Sequence, residues 1–171
     1  MFKNIWRMRE WGPNTLRRML NLYPPYLFTG TRVHYIAPDW KKIVVKLHRT
    51  FLTNNYVGTI FGGSLYAATD PFYMFMLIKI LGIGKYIVWD QAAEIYFKKP
   101  GRSTVTYTFT LSDEQIEAVK KEVAEKGTIR PQFEVQGIDA DGEVCTIVKK
   151  TVYIRVKKED NSPSFQEKGG S

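Results

Sequence analysis

An α+β fold, in which a long central helix is wrapped by a curved antiparallel sheet of five to six strands, is what this sequence predicts, and three observations carry it. Ile60 to Ile83 is the most apolar stretch of the 171-residue chain and reads as a buried helix. From Ser103 to Leu111, Val105, Tyr107, Phe109 and Leu111 alternate with Thr104, Thr106, Thr108 and Thr110, the pattern of a sheet with one buried and one polar face. Strand-like segments lie on both sides of the apolar helix, which is the element order of an α+β layer.

Taken in order, Pro13 and Asn14 mark a helix start, Leu16, Met19, Leu20 and Tyr23 recur at helical spacing, and Pro24-Pro25 stops the run. Arg32 to Ile36 and Lys41 to Phe51 read as paired strands around a turn at Pro38-Asp39-Trp40, with Ile43, Val45, Leu47 and Phe51 on one face. The central helix is expected over Gly63 to Leu81, with a kink at Pro71, and Gly82 and Gly84 end it. Tyr86 to Phe97 reads as a strand closed by Pro100-Gly101. After the alternating strand, Ser112 and Gln115 form a capping box for a helix whose Ile116, Val119 and Val123 make an apolar stripe. Glu117 with Lys121, and Glu122 with Lys126, are spaced as ion pairs on it. Ile129 to Ile138 and Glu143 to Val156 then flank Asp139-Ala140-Asp141-Gly142, a hairpin signal.

With 44% hydrophobic and 14% aromatic residues the chain can bury one sizeable core. Residues 1–30 read as a helical lead-in, 31–157 as the single main domain and 158–171 as a flexible tail. A net charge of +8 favours anionic partners, but Lys and Arg are spread along the chain without a nucleic-acid motif, so no nucleic acid is expected. One cysteine, Cys145, excludes an internal disulfide, and two histidines are too few for a metal cluster. Asp70, Pro71 and Lys79 interrupt the apolar stretch, so no transmembrane segment is expected, and the N-terminus lacks a signal-peptide core. A cytoplasmic location follows from these readings.

The chemistry is concentrated between Asn55 and Asp70. Gly62-Gly63 opening an apolar helix offers free backbone N–H groups at its N-terminus, and Asp70 places a carboxylate inside oily sequence two turns later. Donors aimed at a carbonyl oxygen and a carboxylate that activates water suit acyl transfer or thioester hydrolysis. Each residue also has a plainer reading. Asp70 before Pro71 is a favoured helix cap, the glycines can serve close packing, and Asn55 can be a turn residue. Asp90 and Glu94 read as a solvated or interface strand pair. Lys98, Lys99 and Arg102, beside Pro100-Gly101, are either a solvated loop or a seat for the phosphates of coenzyme A.

The order of elements resembles the hotdog fold. The segment Asn55, Gly58, Phe61, Gly62-Gly63 and Asp70 keeps every spacing of the signature of the PaaI-like acyl-CoA thioesterases, with Phe61 where that family carries histidine. The strand ending in Lys98-Lys99-Pro100-Gly101 extends the likeness over roughly Thr31 to Lys157. Leu16-Arg17-Arg18 to Pro24-Pro25, with the histidine-free Phe-Gly-Gly, is similar to the DUF4442 branch. The resemblance implies a thioesterase acting on an acyl-CoA or related acyl-carrier thioester, with coenzyme A as part of the substrate and no other cofactor. It implies that the Gly62 amide polarises the carbonyl, that Asp70 is base or nucleophile, and that Asn55 orients water or carbonyl. Phe61, Gly63, Asp90, Lys98, Lys99 and Arg102 become candidate substrate contacts, and Asp90, on the strand whose counterpart in the family faces the site from the partner subunit, a candidate second carboxylate. Sites shared between subunits imply a homo-oligomer, dimer or tetramer. A non-catalytic acyl-CoA or fatty-acyl binder is the alternative, since it tolerates Phe61.

Overall fold

The computed structural model describes residues 10–157, so the tail expected over 158–171 and the first nine residues of the lead-in lie outside the described residues. The chain runs α1 Pro13–Leu22, α2 Pro24–Thr29, β1 Thr31–Ile36, β2 Lys42–Leu47, α3 Gly62–Ala67, α4 Phe72–Leu81, β3 Tyr86–Phe97, β4 Val105–Thr110, α5 Asp113–Lys126, β5 Thr128–Ile129, β6 Gln132–Ile138 and β7 Val144–Val156. The strands form one seven-stranded antiparallel sheet in the order β1-β2-β4-β6-β7-β3, with β5 paired to β7. Register shifts at Val33/Tyr35, Asp90/Ala92 and Gly137/Ile138 put irregularities into three of the ladders. Bulges of this kind bend a strand and increase its twist, which curves the sheet.

Helix α4 lies in the concavity. Phe72, Met76 and Leu77 have no exposed surface, and neither do Ile43, Val45 and Leu47 of β2 or Tyr107 and Phe109 of β4. Ring contacts lock helix to sheet: Phe72 meets Phe109 at 5.0 Å between centroids, and Tyr73 stacks on Phe133 at 4.9 Å. The alternation read from β2 and β4 therefore describes the core-facing register.

Five expectations change. Pro24 and Pro25 do not merely stop α1, because they occupy the first turn of α2, where a missing N–H costs nothing. The central helix is not continuous: α3 ends at Ala67 and α4 starts at Phe72, with a cis Asp70–Pro71 bond between them. The second strand ends at Leu47, and Phe51, expected on its buried face, is 85% exposed in the loop beyond. Pro131, which has no N–H for a ladder, lies in the gap that divides the expected Ile129–Ile138 strand into β5 and β6, and the division brings the strand count to seven. The capping box of α5 is present, as is the Glu122–Lys126 pair, but Glu117 pairs with Lys120 rather than Lys121.

The break between α3 and α4 is held from two sides. Thr69 sends its N–H to the Tyr66 carbonyl, leaving the Leu65 carbonyl without that helical donor. The buried Tyr107 hydroxyl of β4 donates to it at 3.1 Å and lies 3.0 Å from Thr146 Oγ1 of β7. From α2, the Tyr26 hydroxyl donates to the Asp70 carbonyl. Tyr107→Phe keeps the ring packing and strands a buried carbonyl, so it should lower unfolding free energy by about 1–2 kcal/mol in urea melts. An unchanged midpoint would show that Leu65 finds another donor.

Candidate active site

The loop from Arg49 to Phe61 is tied down before it reaches the glycine pair. Arg49 donates from Nε to Asn54 Oδ1 at 3.0 Å, and from its two terminal nitrogens to the carbonyls of Arg102 at 3.1 Å and Gly58 at 2.9 Å. Asn55 closes the turn inside it: Oδ1 accepts from the N–H groups of Val57 and Thr59 at 3.1 and 3.0 Å, and Nδ2 donates to Thr59 Oγ1 at 2.9 Å. The amide of Asn55 is thus engaged with its own loop, the geometry of a turn residue. Asn55 also lines a cavity of about 370 Å³ with Gly62, Leu65, Phe97, Lys98 and Lys99.

At the start of α3 the N–H groups of Gly62 and Gly63 precede any intrahelical acceptor. A Cβ at Gly62 would sit 3.1 Å from the Phe97 ring, which would have to give by a few tenths of an ångström to admit it. Phe61 is 57% exposed and its ring folds over Gly63, where a Cβ would collide with it. Neither Phe61 nor Gly63 is among the residues lining the Gly62 cavity. Of the basic candidates, Lys98 and Lys99 line it, although the Lys99 ammonium is paired with the Glu143 carboxylate in an exposed contact. Arg102 is exposed and meets the loop through its backbone carbonyl.

Asp70 belongs to a different cluster. Its side chain makes no capping bond to α4, so the helix-cap reading does not describe it. Oδ1 instead accepts from Lys150 Nζ at 2.8 Å, and the same Nζ lies 2.8 Å from Asp90 Oδ2. The Lys150 side chain has no exposed surface, Asp90 is 13% exposed and Asp70 46% exposed. Lys150 Nζ also lies 5.1 Å from the centre of the Tyr66 ring. The Asp90 contact is an ion pair without a well-directed hydrogen bond, since neither of its buried oxygens has a partner meeting bond geometry.

Electrostatics follow from this arrangement. Burial pushes the Lys150 pKa down, but the hydrogen bond to Asp70 and the charge of Asp90 outweigh it and hold the ammonium above its ordinary value. For Asp90, burial is the largest cause and raises the pKa, the Lys150 ammonium opposes it, and the Asp70 carboxylate adds to it, leaving Asp90 at about 6. Glu94, the other strand carboxylate, only accepts from the exposed Tyr96 hydroxyl at 2.7 Å.

The accessible side of Asp70 faces an apolar cavity of about 650 Å³ between α1, α2 and α4. Met19, Leu20, Tyr23, Tyr26, Pro71 and Phe75 are among its walls, and among the described residues Asp70 is the one acidic side chain in the lining. The structure therefore brings Asp70 and Asp90 together through a lysine. It sets Asn55, Gly62, Lys98 and Lys99 around a separate cavity. Sequence reasoning missed Lys150 and Arg49. Lys150 shares strand parity with the buried Val148 and Val152, so a cation at a core position of β7 was the available signal. Among the described residues no group of His, Cys, Asp and Glu is placed to hold a metal, and no helix is long and apolar enough to cross a membrane.

A helix cradled by a curved antiparallel sheet, with glycines opening that helix, is the hotdog fold, and solved structures agree. A Pseudomonas aeruginosa protein of unknown function, described as a probable thioesterase, superposes with a TM-score of 0.75 at 18% identity, covering 85% of this chain and 97% of that one. A Haemophilus influenzae thioesterase gives 0.63 at 14% identity over 88% and 95%. The Escherichia coli PaaI protein of the phenylacetic acid degradation operon gives 0.58 at 14% over 84% and 92%. Likeness at such identity establishes the fold. The family model described as a domain of unknown function, DUF4442, matches residues 12–154, and the chain belongs to that family. A search of the curated proteins found no match.

The raised Asp90 pKa makes a prediction about stability. The folded state binds this proton more tightly than the unfolded state, so its contribution is fully present below about pH 4 and is lost as pH rises through about 6. Asp90→Asn removes that loss while Lys150 keeps Asp70. Between pH 4 and 7.5 the variant should gain about 2 kcal/mol relative to wild type in urea melts. Parallel curves would mean that Asp90 does not titrate in this range.

Proposed function

We propose that this protein hydrolyses an acyl thioester of coenzyme A or a related acyl carrier, with Asp70 as base or nucleophile. The observation that carries the reading is Asp70 itself: a half-exposed carboxylate in the wall of an otherwise apolar cavity, its other face tied to a fully buried lysine. An apolar acyl chain fits the cavity between α1, α2 and α4, and puts its carbonyl beside the carboxylate. In the general-base form, water oxygen attacks the carbonyl carbon as Asp70 takes its proton. The C–S bond then breaks and the sulfur leaves with that proton. Helix-start N–H groups, as at Gly62, suit the oxyanion of that step.

Gly62 and Asp70 open on different cavities of one chain, which supports a site completed by a second copy. Strand β3 supplies a surface for it. It is a twelve-residue edge strand with Trp89, Tyr96 and Phe97 exposed, and such an edge invites pairing. Lys98 and Lys99 at the end of β3 then suit the phosphates of coenzyme A, in a reducing cytoplasm. Binding without turnover is the second reading, and the ring of Phe61 lying over Gly63 favours it, because a phenyl group offers no polar contact to a thioester.

Asp70→Asn keeps an acceptor for Lys150 and removes the base. It should lower thioester hydrolysis by roughly 10²-fold in thiol-release kinetics while the protein stays folded; full activity would take Asp70 out of the mechanism. In light scattering at micromolar concentration the smallest stable species should be a homodimer, and a well-folded monomer would contradict the shared site.

A further inference from the structure

Lys150 lies in the core of the sheet although nothing about packing asks for a cation there. It stands on β7 between Val148 and Val152, both without exposed surface, and Tyr66 covers its ammonium. Burying a charge is unfavourable unless it is paired, and well-packed apolar residues commonly replace buried ion clusters without loss of stability. Here the fold supplies two carboxylates for one ammonium, from two further elements: Asp70 from the α3–α4 connection and Asp90 from β3. The register shift between Asp90 and Ala92 falls at that point of β3, where an irregularity re-aims a side chain. One carboxylate, Asp90, is enclosed; the other, Asp70, is open to the cavity.

We propose that Lys150 is the positioning residue of this site: its ammonium fixes the Asp70 carboxylate towards the cavity, and Asp90 is the counter-charge that keeps the ammonium charged in the core. The proposal rests on the hydrolase reading of Asp70. A carboxylate on a connection between two helices has rotamers to choose from, and a 2.8 Å charge-assisted bond to an immobile partner removes that choice. Asp90 makes the device respond to pH. The groups around it are Lys150 of β7, Asp70, and the Tyr26 hydroxyl of α2, whose own pKa burial raises out of reach. Below about pH 6 a protonated Asp90 leaves the ammonium wholly to Asp70; above it the two carboxylates share the ammonium.

The test is steady-state hydrolysis of an apolar acyl-CoA by wild type, Lys150→Met, Asp90→Asn and the double variant. Lys150→Met should lower kcat by about 10²-fold with KM changed by less than about twofold, the signature of lost alignment rather than lost binding. Asp90→Asn, which leaves the ammonium to Asp70 alone at every pH, should lose the inflection near pH 6 expected in the wild-type kcat/KM profile. If Lys150→Met fails to fold, the double variant, which buries neither charge, supplies the same reading and should be folded and equally slow. A folded double variant with wild-type kcat overturns the positioning role while leaving the hydrolase reading intact. A wild type without turnover overturns both.

Discussion

One buried ammonium ties the site together. Lys150 joins β7 to β3 through Asp90 and to the break in the central helix through Asp70, so three elements distant in sequence meet at one nitrogen. Burial pulls the lysine towards its neutral form, while the hydrogen bond to Asp70 and the charge of Asp90 hold it charged. The interruption between α3 and α4 puts Asp70 on a connection, where it meets both lysine and cavity.

The lead-in helices complete that arrangement. Tyr26 is buried, stacks on Phe72 at 5.8 Å between centroids and hydrogen-bonds the Asp70 carbonyl, so α2 fixes the backbone of the residue whose side chain Lys150 holds. Met19, Leu20 and Tyr23 then roof the cavity above it. Removing α1 and α2 would expose both the carboxylate and the aromatic face of α4. Residues of α1 and α2 therefore border the cavity that Asp70 faces.

Periodicity made much of the fold legible. The alternation of β2 and β4, the Ser112–Gln115 capping box and the turn before β7 are local patterns, each satisfied within a few residues, and all appear in the structure. Local reasoning also anticipated the turn at Asn55, whose amide serves bonds to Val57 and Thr59. What could not be read was convergence in space. Asp70 and Lys150 are 80 residues apart, and only the order β6-β7-β3 with the broken helix beneath brings them together. The parity of Lys150 among valines marked an oddity on the buried face of β7 without naming its partners. The separation of Gly62 from Asp70 into two cavities was equally beyond a motif whose residues are close in sequence.

The proposed hydrolysis of thioesters with oily acyl groups rests on the apolar cavity and the tethered carboxylate. A hydrolysis screen across acyl-CoA chain lengths, read by release of free thiol, tests this most directly. The account predicts turnover that increases as the acyl group becomes long and apolar enough to fill the space between α1, α2 and α4. Absence of thiol release at every chain length, with the protein folded and acyl-CoA bound, would contradict it and leave a binding protein.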